Sequence, residues 1–339
     1  MAPNPDYVYC TICGMALGSD AIVLAGPHWP RSNTTSESLS VIDEQVIRYT
    51  AEVDSFPGKI LLLPSREQIY PQYAYQHESD IAPAKMYLGI HAACEEIANR
   101  VMKTSFNAKV RSISDLWLTL ERRCASYLSQ GRRQRRLPRD MNYVPPIPNN
   151  QSGQPLSLGF DRYYVPYHCL DQWGDEWEGW WDEEPINIPN LTTQLMLNLE
   201  QISDASSKPA ESSIKASQKE IDDHVCTFFH EDQVTLECSY DLPQSIWKQI
   251  FFQIPFLWDL DIKAVHDKTG LHDADKWNWE KLTRQVTSSP HPLPSNAASY
   301  RDEDAWDYKD VGLDVPGGFT NRRRVWQILE DMYANDVQG

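Results

Sequence analysis

The amino-acid sequence predicts an α-rich α+β protein, with a stapled N-terminal module packed against a C-terminal helical one. Three observations carry this. Apolar residues recur at intervals of three and four over 90–102, 114–131 and 243–254, the signature of amphipathic helices. The longest apolar runs, such as 60–63 and 250–257, are far too short to span a bilayer, and KILLLP at 59–64 is fenced by Pro57-Gly58 and Pro64-Ser65 as a buried strand is, with a further short apolar run, AIVLA, at 21–25. Finally, Cys10-x-x-Cys13 is matched, far along the chain, by His91-x-x-Cys94.

Taken in order, the 33–40 stretch is rich in Ser and Thr and reads as a loop. Ile90, Ala93, Cys94, Ile97, Ala98 and Val101 predict a helix from Ile90 to Met102, with His91 in its first turn. Ser114 is a good N-cap for a second helix, through Leu116, Trp117, Leu120, Cys124 and Tyr127 to Gly131. These segments make an N-terminal module of residues 1–130. The Arg132, Arg133, Arg135, Arg136 cluster and the Pro/Asn stretch that follows mark 131–157 as a connector, and a basic patch of this kind can serve nuclear import. Residues 158–202 hold an acidic, Trp-rich segment and a helix-like run from Leu191 to Ile202. The 203–220 stretch carries almost nothing apolar to offset its ordering entropy and is expected to be a flexible loop. A helical module occupies 221–339, with helices at 243–254 and 322–333.

Composition removes several function classes. At 339 residues the chain has room for about two domains at ~150 residues each and can bury a large core. Its 48 acidic against 31 basic residues give a formal charge of −17, which repels phosphate backbones and anionic lipid heads, so neither a nucleic-acid nor a membrane partner is expected. Only 15 Gly stand beside 12 Trp, 16 Tyr and 9 Phe, leaving little material for a Gly-rich phosphate cradle. The first residues lack the basic and apolar regions of a signal peptide, which predicts a cytoplasmic location, or a nuclear one if the basic patch is read. The seven cysteines are then thiols or metal ligands rather than disulfides.

Cys10-x-x-Cys13 followed by Gly14 has the form of a zinc knuckle, in which two thiolates close on one ion and a glycine relieves the turn. His91 and Cys94, three apart, complete a Cys₃His set of the kind used in treble-clef-like structural zinc sites. A full set of four protein ligands leaves no open position, so the expected cofactor is a structural zinc. The alternative is that Cys10 and Cys13 are incidental thiols and Cys94 a buried core cysteine.

Two groups of segments resemble known proteins. The run DLPQSIWKQIFFQIPF at 241–256 is similar to the opening of an F-box, and WNWEKL at 277–282 to its close. With Cys10-Thr11-Ile12-Cys13-Gly14, Ile90-His91-Ala92-Ala93-Cys94 and the 113–120 stretch, they resemble a group of uncharacterised filamentous-fungal F-box-like proteins. The resemblance implies an F-box-like helical module that docks on the Skp adaptor of a ubiquitin ligase through Leu242, Pro243, Ile246, Phe256 and Leu257, while the rest of the chain recruits a substrate. The residues alone leave open that the same stripe serves the protein's own core.

A second function class competes with this binding or scaffold role. Trp173, Trp177, Trp180 and Trp181 stand among acids, and His168 adjoins three tyrosines, so together they could line a pocket for a small aromatic or polycyclic ligand. With the carboxylates and imidazoles of Asp259, Asp261, His266, His272, Asp273 and Asp275, such a chain would suit a cofactor-independent cyclase or isomerase of a fungal secondary-metabolite pathway, by analogy alone. His224, Cys226, His230 and Cys238 form a looser group whose spacing matches no familiar ligand pattern.

Overall fold

A computed structural model describes residues 10–13, 15, 17, 21–26, 42–56, 59–64, 87–120, 179–202, 236–270, 273–288 and 306–332. The segments at 131–157 and 203–220 lie outside the described residues. What is described is a helix-rich α+β architecture with one antiparallel sheet.

Strand β1 (Ala21–Ala25) is central, because Ile22, Val23 and Leu24 are buried in succession and successive side chains of a strand point to opposite faces. It pairs antiparallel with β2 (Ile47–Phe56) on one side and β4 (Tyr87–His91) on the other, with Ala21 opposite both Ala51 and His91. Strand β3 (Lys59–Pro64) is the strand expected from KILLLP and pairs with β2, giving the order β3-β2-β1-β4. Gly26, just past β1, lies so close to the Trp117 indole that any Cβ there would run into the ring.

Helix α1 (Ala92–Thr104) follows β4 without a break and buries Cys94, Ile97, Ala98 and Val101 at the expected spacing. It starts later than predicted. Ile90 and His91 belong to the sheet, opposite Ile22 and Ala21, so their backbone is held extended and His91 is the helix N-cap instead of a first-turn residue. Residues 113–120 form helix α2, which buries Leu116, Trp117 and Leu120. Its cap is Ser112, whose Oγ accepts the Asp115 N–H at 3.2 Å. Ser114, the predicted cap, instead donates its N–H to Asp43 at 2.9 Å and so ties α2 to the turn before β2.

The C-terminal part comprises α3 (Leu191–Asn198), α4 (Gln244–Phe252), α5 (Ile262–Thr269), α6 (Trp279–Thr287) and α7 (Gly317–Asp331). Helix α4 packs on α6, and α3 on α5. Helix α7 is the hub and carries three consecutive arginines, all buried. Arg322 is fully enclosed: it forms a two-pronged ion pair with Asp259 at 2.7 Å per prong and donates to the carbonyls of Pro185, Ile186 and Phe256. Tyr308 stacks on Phe319 of α7 and donates its hydroxyl to the Val286 carbonyl at 2.7 Å.

The sheet module and the helical part share one core. Helix α7 packs on α1, and Glu330 of α7 accepts the Ser105 hydroxyl at 2.6 Å. The Trp258 indole meets two guanidiniums, that of Arg100 from α1 at 4.3 Å and that of Arg322 at 3.9 Å. Gly318 sits where α7 approaches 184–188 so closely that a Cβ would meet the Glu184 carbonyl oxygen. Backbone cannot swing aside as a side chain can, so Gly318→Ala is expected to cost about 1–3 kcal/mol of stability, read as a fall in the urea midpoint. An unchanged midpoint would contradict this packing.

Candidate metal centre

The chain turns sharply over residues 10–13. The Cys10 N–H donates to the Met15 carbonyl at 2.7 Å, and the Cys13 N–H points to the Cys10 sulfur at 3.5 Å. Thr11 fixes this turn in space, since its N–H and its hydroxyl both donate to the Gly89 carbonyl, at 2.9 and 3.1 Å. Gly89 lies on β4 two residues before His91, so the strand that carries the knuckle also delivers the second half-site. Cys94 then follows in the first turn of α1, where the helix N-terminus favours negative charge.

Folding thus closes the sequence gap. The ligand atoms of Cys10, Cys13, His91 and Cys94 all lie within 4.8 Å of one another and can hold a metal ion. Among the described residues this is the one group of three or more such side chains that does so. His91 Nδ1 is 3.4 Å from the Cys13 sulfur and 3.9 Å from that of Cys94. The three cysteines are 0 to 4% exposed and unbridged, while His91 is partly exposed.

The electrostatics are those of donors crowded together. Burial alone would raise the Cys13 thiol, but hydrogen bonds from Cys10 and Cys94 and the charge of His91 hold it well below its usual value. For His91 burial works downward, and above all the negative charge on Cys13 overrides it and holds the imidazole well above its usual value. Cys94 is pushed well up by its hydrogen bonds to Cys10 and Cys13 and by burial. Without metal the cluster keeps protons on His91 and Cys94, and a metal ion must displace them.

One residue that the sequence did not single out completes the setting. Arg324 of α7, 311 positions from the knuckle, donates from Nη1 to the Cys13 carbonyl at 2.9 Å. Its signal was present in the run Arg322-Arg323-Arg324, because three consecutive helical residues sweep about 200° and cannot all face water when the opposite side is core.

The other predicted sites fare differently. Phe256 and Leu257 are core residues, 4% and 5% exposed, with the Phe256 ring set against Phe319, Trp326 and the Arg323 guanidinium. Leu242 and Ile246 are half-buried against the same core, and Pro243 is exposed as the N-cap of α4. Trp180 and Trp181 meet edge to face at 5.5 Å, and Trp181 is buried, so this pair packs the chain between residues 179 and 184 onto the body. His168, Trp173 and Trp177 lie outside the described residues, as do His224, Cys226, His230 and His272. Three of the aspartates after 258 are engaged structurally: Asp259 pairs with Arg322, Asp261 caps α5 by accepting the Ala264 N–H, and Asp273 pairs with Lys276. Cys238 contacts Asn278, and burial followed by the charge of Glu280 raises its thiol.

No helix among the described residues is long and apolar enough to cross a membrane. Compared with known proteins, the chain matches no family model, no curated protein and no solved structure.

Proposed function

We propose that the protein is a zinc-stapled binding scaffold, in which Cys10, Cys13, His91 and Cys94 hold one structural Zn²⁺. The observation that carries this is the buried, closed Cys₃His set. Tetrahedral zinc, with Zn–S about 2.3 Å and Zn–N about 2.0–2.1 Å, spaces an N/S ligand pair about 3.5 Å apart, and the His91 contacts of 3.4 and 3.9 Å bracket that edge. A knuckle, an antiparallel sheet and a helix start that converge on one ion are what a treble-clef-like site requires. With all four positions filled by protein, the ion joins chain segments and has no place for a substrate. Purified protein is expected to carry one zinc per chain by elemental analysis, and a metal-free preparation that is equally stable with and without added zinc would end the proposal.

Acid should strip the ion. His91 and Cys94 are raised, so both hold protons in the metal-free protein near neutrality, and zinc must expel them to bind. Affinity therefore rises with pH, and zinc release measured with a chromogenic chelator should increase steadily as pH falls from about 7 to about 5. Release that is flat over this range would contradict proton competition at these ligands.

In the same reading the F-box-like segment is internal. The burial of Phe256, Leu257, Ile250 and Ile254 supports α4 as a core helix rather than an adaptor-docking one. Ile250→Ala is expected to cost about 2–5 kcal/mol of folding stability, and a Skp-type adaptor should not be captured stoichiometrically. Robust capture that is lost in a folded Leu242→Ala, Pro243→Ala variant would instead establish a ubiquitin-ligase adaptor role.

A further inference from the structure

We infer that Arg324 is the counter-ion of the metal centre. The inference rests on the zinc reading and adds to it a charge supplied from the other end of the chain. Arg324 is 1% exposed, yet its partners are all neutral: the Cys13 carbonyl at 2.9 Å, the Asn321 side-chain oxygen at 3.1 and 3.4 Å, and the Trp180 ring at 5.8 Å. Its neighbours on α7 are treated otherwise, since Arg322 pairs with Asp259 and Arg323 faces Glu330 at 3.9 Å. Among the described residues no carboxylate pairs with Arg324. A buried cation without an opposite charge is strongly unfavourable, so a fold that keeps one has a compensating charge nearby.

The metal centre supplies it. One Zn²⁺ with three thiolates and a neutral imidazole carries one net negative charge, here enclosed by cysteines that are 0 to 4% exposed. Cys13 links the two, because its carbonyl receives the guanidinium and its sulfur is one of the ligands. Asn321 donates its amide to the Glu183 carbonyl at 2.9 Å, which turns its oxygen toward Arg324 and keeps the guanidinium on the knuckle. Arg324 is thus a positioning residue that favours the loaded state by charge as well as by its hydrogen bond.

The test is zinc affinity in the full chain, measured by competition with a chelator of known affinity. Arg324→Gln keeps an amide donor and loses the charge, whereas Arg324→Lys keeps the charge and loses the planar fork. The counter-ion role predicts that Gln weakens zinc binding about 10- to 100-fold and Lys clearly less. If these variants do not fold, a pair at Asn321 decides: Asn321→Asp and Asn321→Ala both lose the bond to Glu183, but only Asp neutralises Arg324, so Asp should bind zinc about tenfold more weakly than Ala. Equal affinities for Gln and Lys, or for Asp and Ala at 321, overturn the inference while the metal centre stands. A wild-type chain that binds no zinc removes the metal reading itself, and this inference with it.

Discussion

Removing the metal, by chelation or by Cys94→Ser, is expected to unfold the N-terminal module. Structural zinc is worth on the order of 10–16 kcal/mol in small zinc-binding peptides, and whole domains are stable by only about 5–15 kcal/mol. Among the described residues the knuckle is otherwise held by a short turn, the two Thr11 bonds to Gly89, the Arg324 bond to Cys13 and the burial of Ile12. Once it opens, Cys10, Ile12 and Cys13, all core residues, lose their cover, and so does the start of α1. The Trp117 indole, buried against Gly26, reports on this part of the core. Chelated protein should therefore show a red-shifted tryptophan emission and a low-temperature melting step that zinc abolishes. Superimposable melts with and without chelator would contradict the stapling role.

Arg322→Met is expected to be the most damaging single change in the helical part. The substitution leaves Asp259 without its cation, the buried Pro185 and Phe256 carbonyls without the Arg322 donor, and the Ile186 carbonyl with only the Trp258 indole N–H, at 3.4 Å. Breaking a buried ion pair by removing one partner costs about 3–5 kcal/mol. The Trp258 indole also loses one of its two guanidinium partners, which come from α1 and α7. Asp259→Asn should cost less, because the amide oxygen still accepts from Arg322 and the three carbonyls keep their bonds. Denaturant melts of the two variants give the ranking, and an Arg322→Met protein as stable as Asp259→Asn would contradict the role of Arg322 as the hub.

The metal ligands were legible because their chemistry is local: each half-site is a pair of soft or borderline donors three positions apart, and the 90–102 stripe announces the helix that carries one pair. The apolar stripe of 243–254 likewise predicted α4. What the sequence hid is long-range. His91 reads as helical by its spacing, but pairing with Ala21 in the sheet overrides that local preference. Strand β2 is different, because its signal is local and was passed over: Ile47, Tyr49, Ala51 and Val53 alternate with Arg48, Thr50, Glu52 and Asp54 over eight residues, the period-two pattern of a strand. The buried roles of Arg322 and Arg324 depend on acceptors many positions away, a carboxylate at 259 and a carbonyl at 13, which no window along the chain contains. The F-box-like stretch shows the converse: its apolar positions were read correctly as a helix, but the hydrophobic pattern does not say whether the face meets a partner or the protein's own core.

The proposed Cys₃His staple is one coordination shell, which X-ray absorption at the zinc edge reads directly in the purified full chain. It predicts one zinc bound by three sulfurs at about 2.3 Å and one nitrogen at about 2.0–2.1 Å, with one sulfur lost in Cys94→Ser. A shell of oxygens and nitrogens, or a sulfur count unchanged by that substitution, would contradict it.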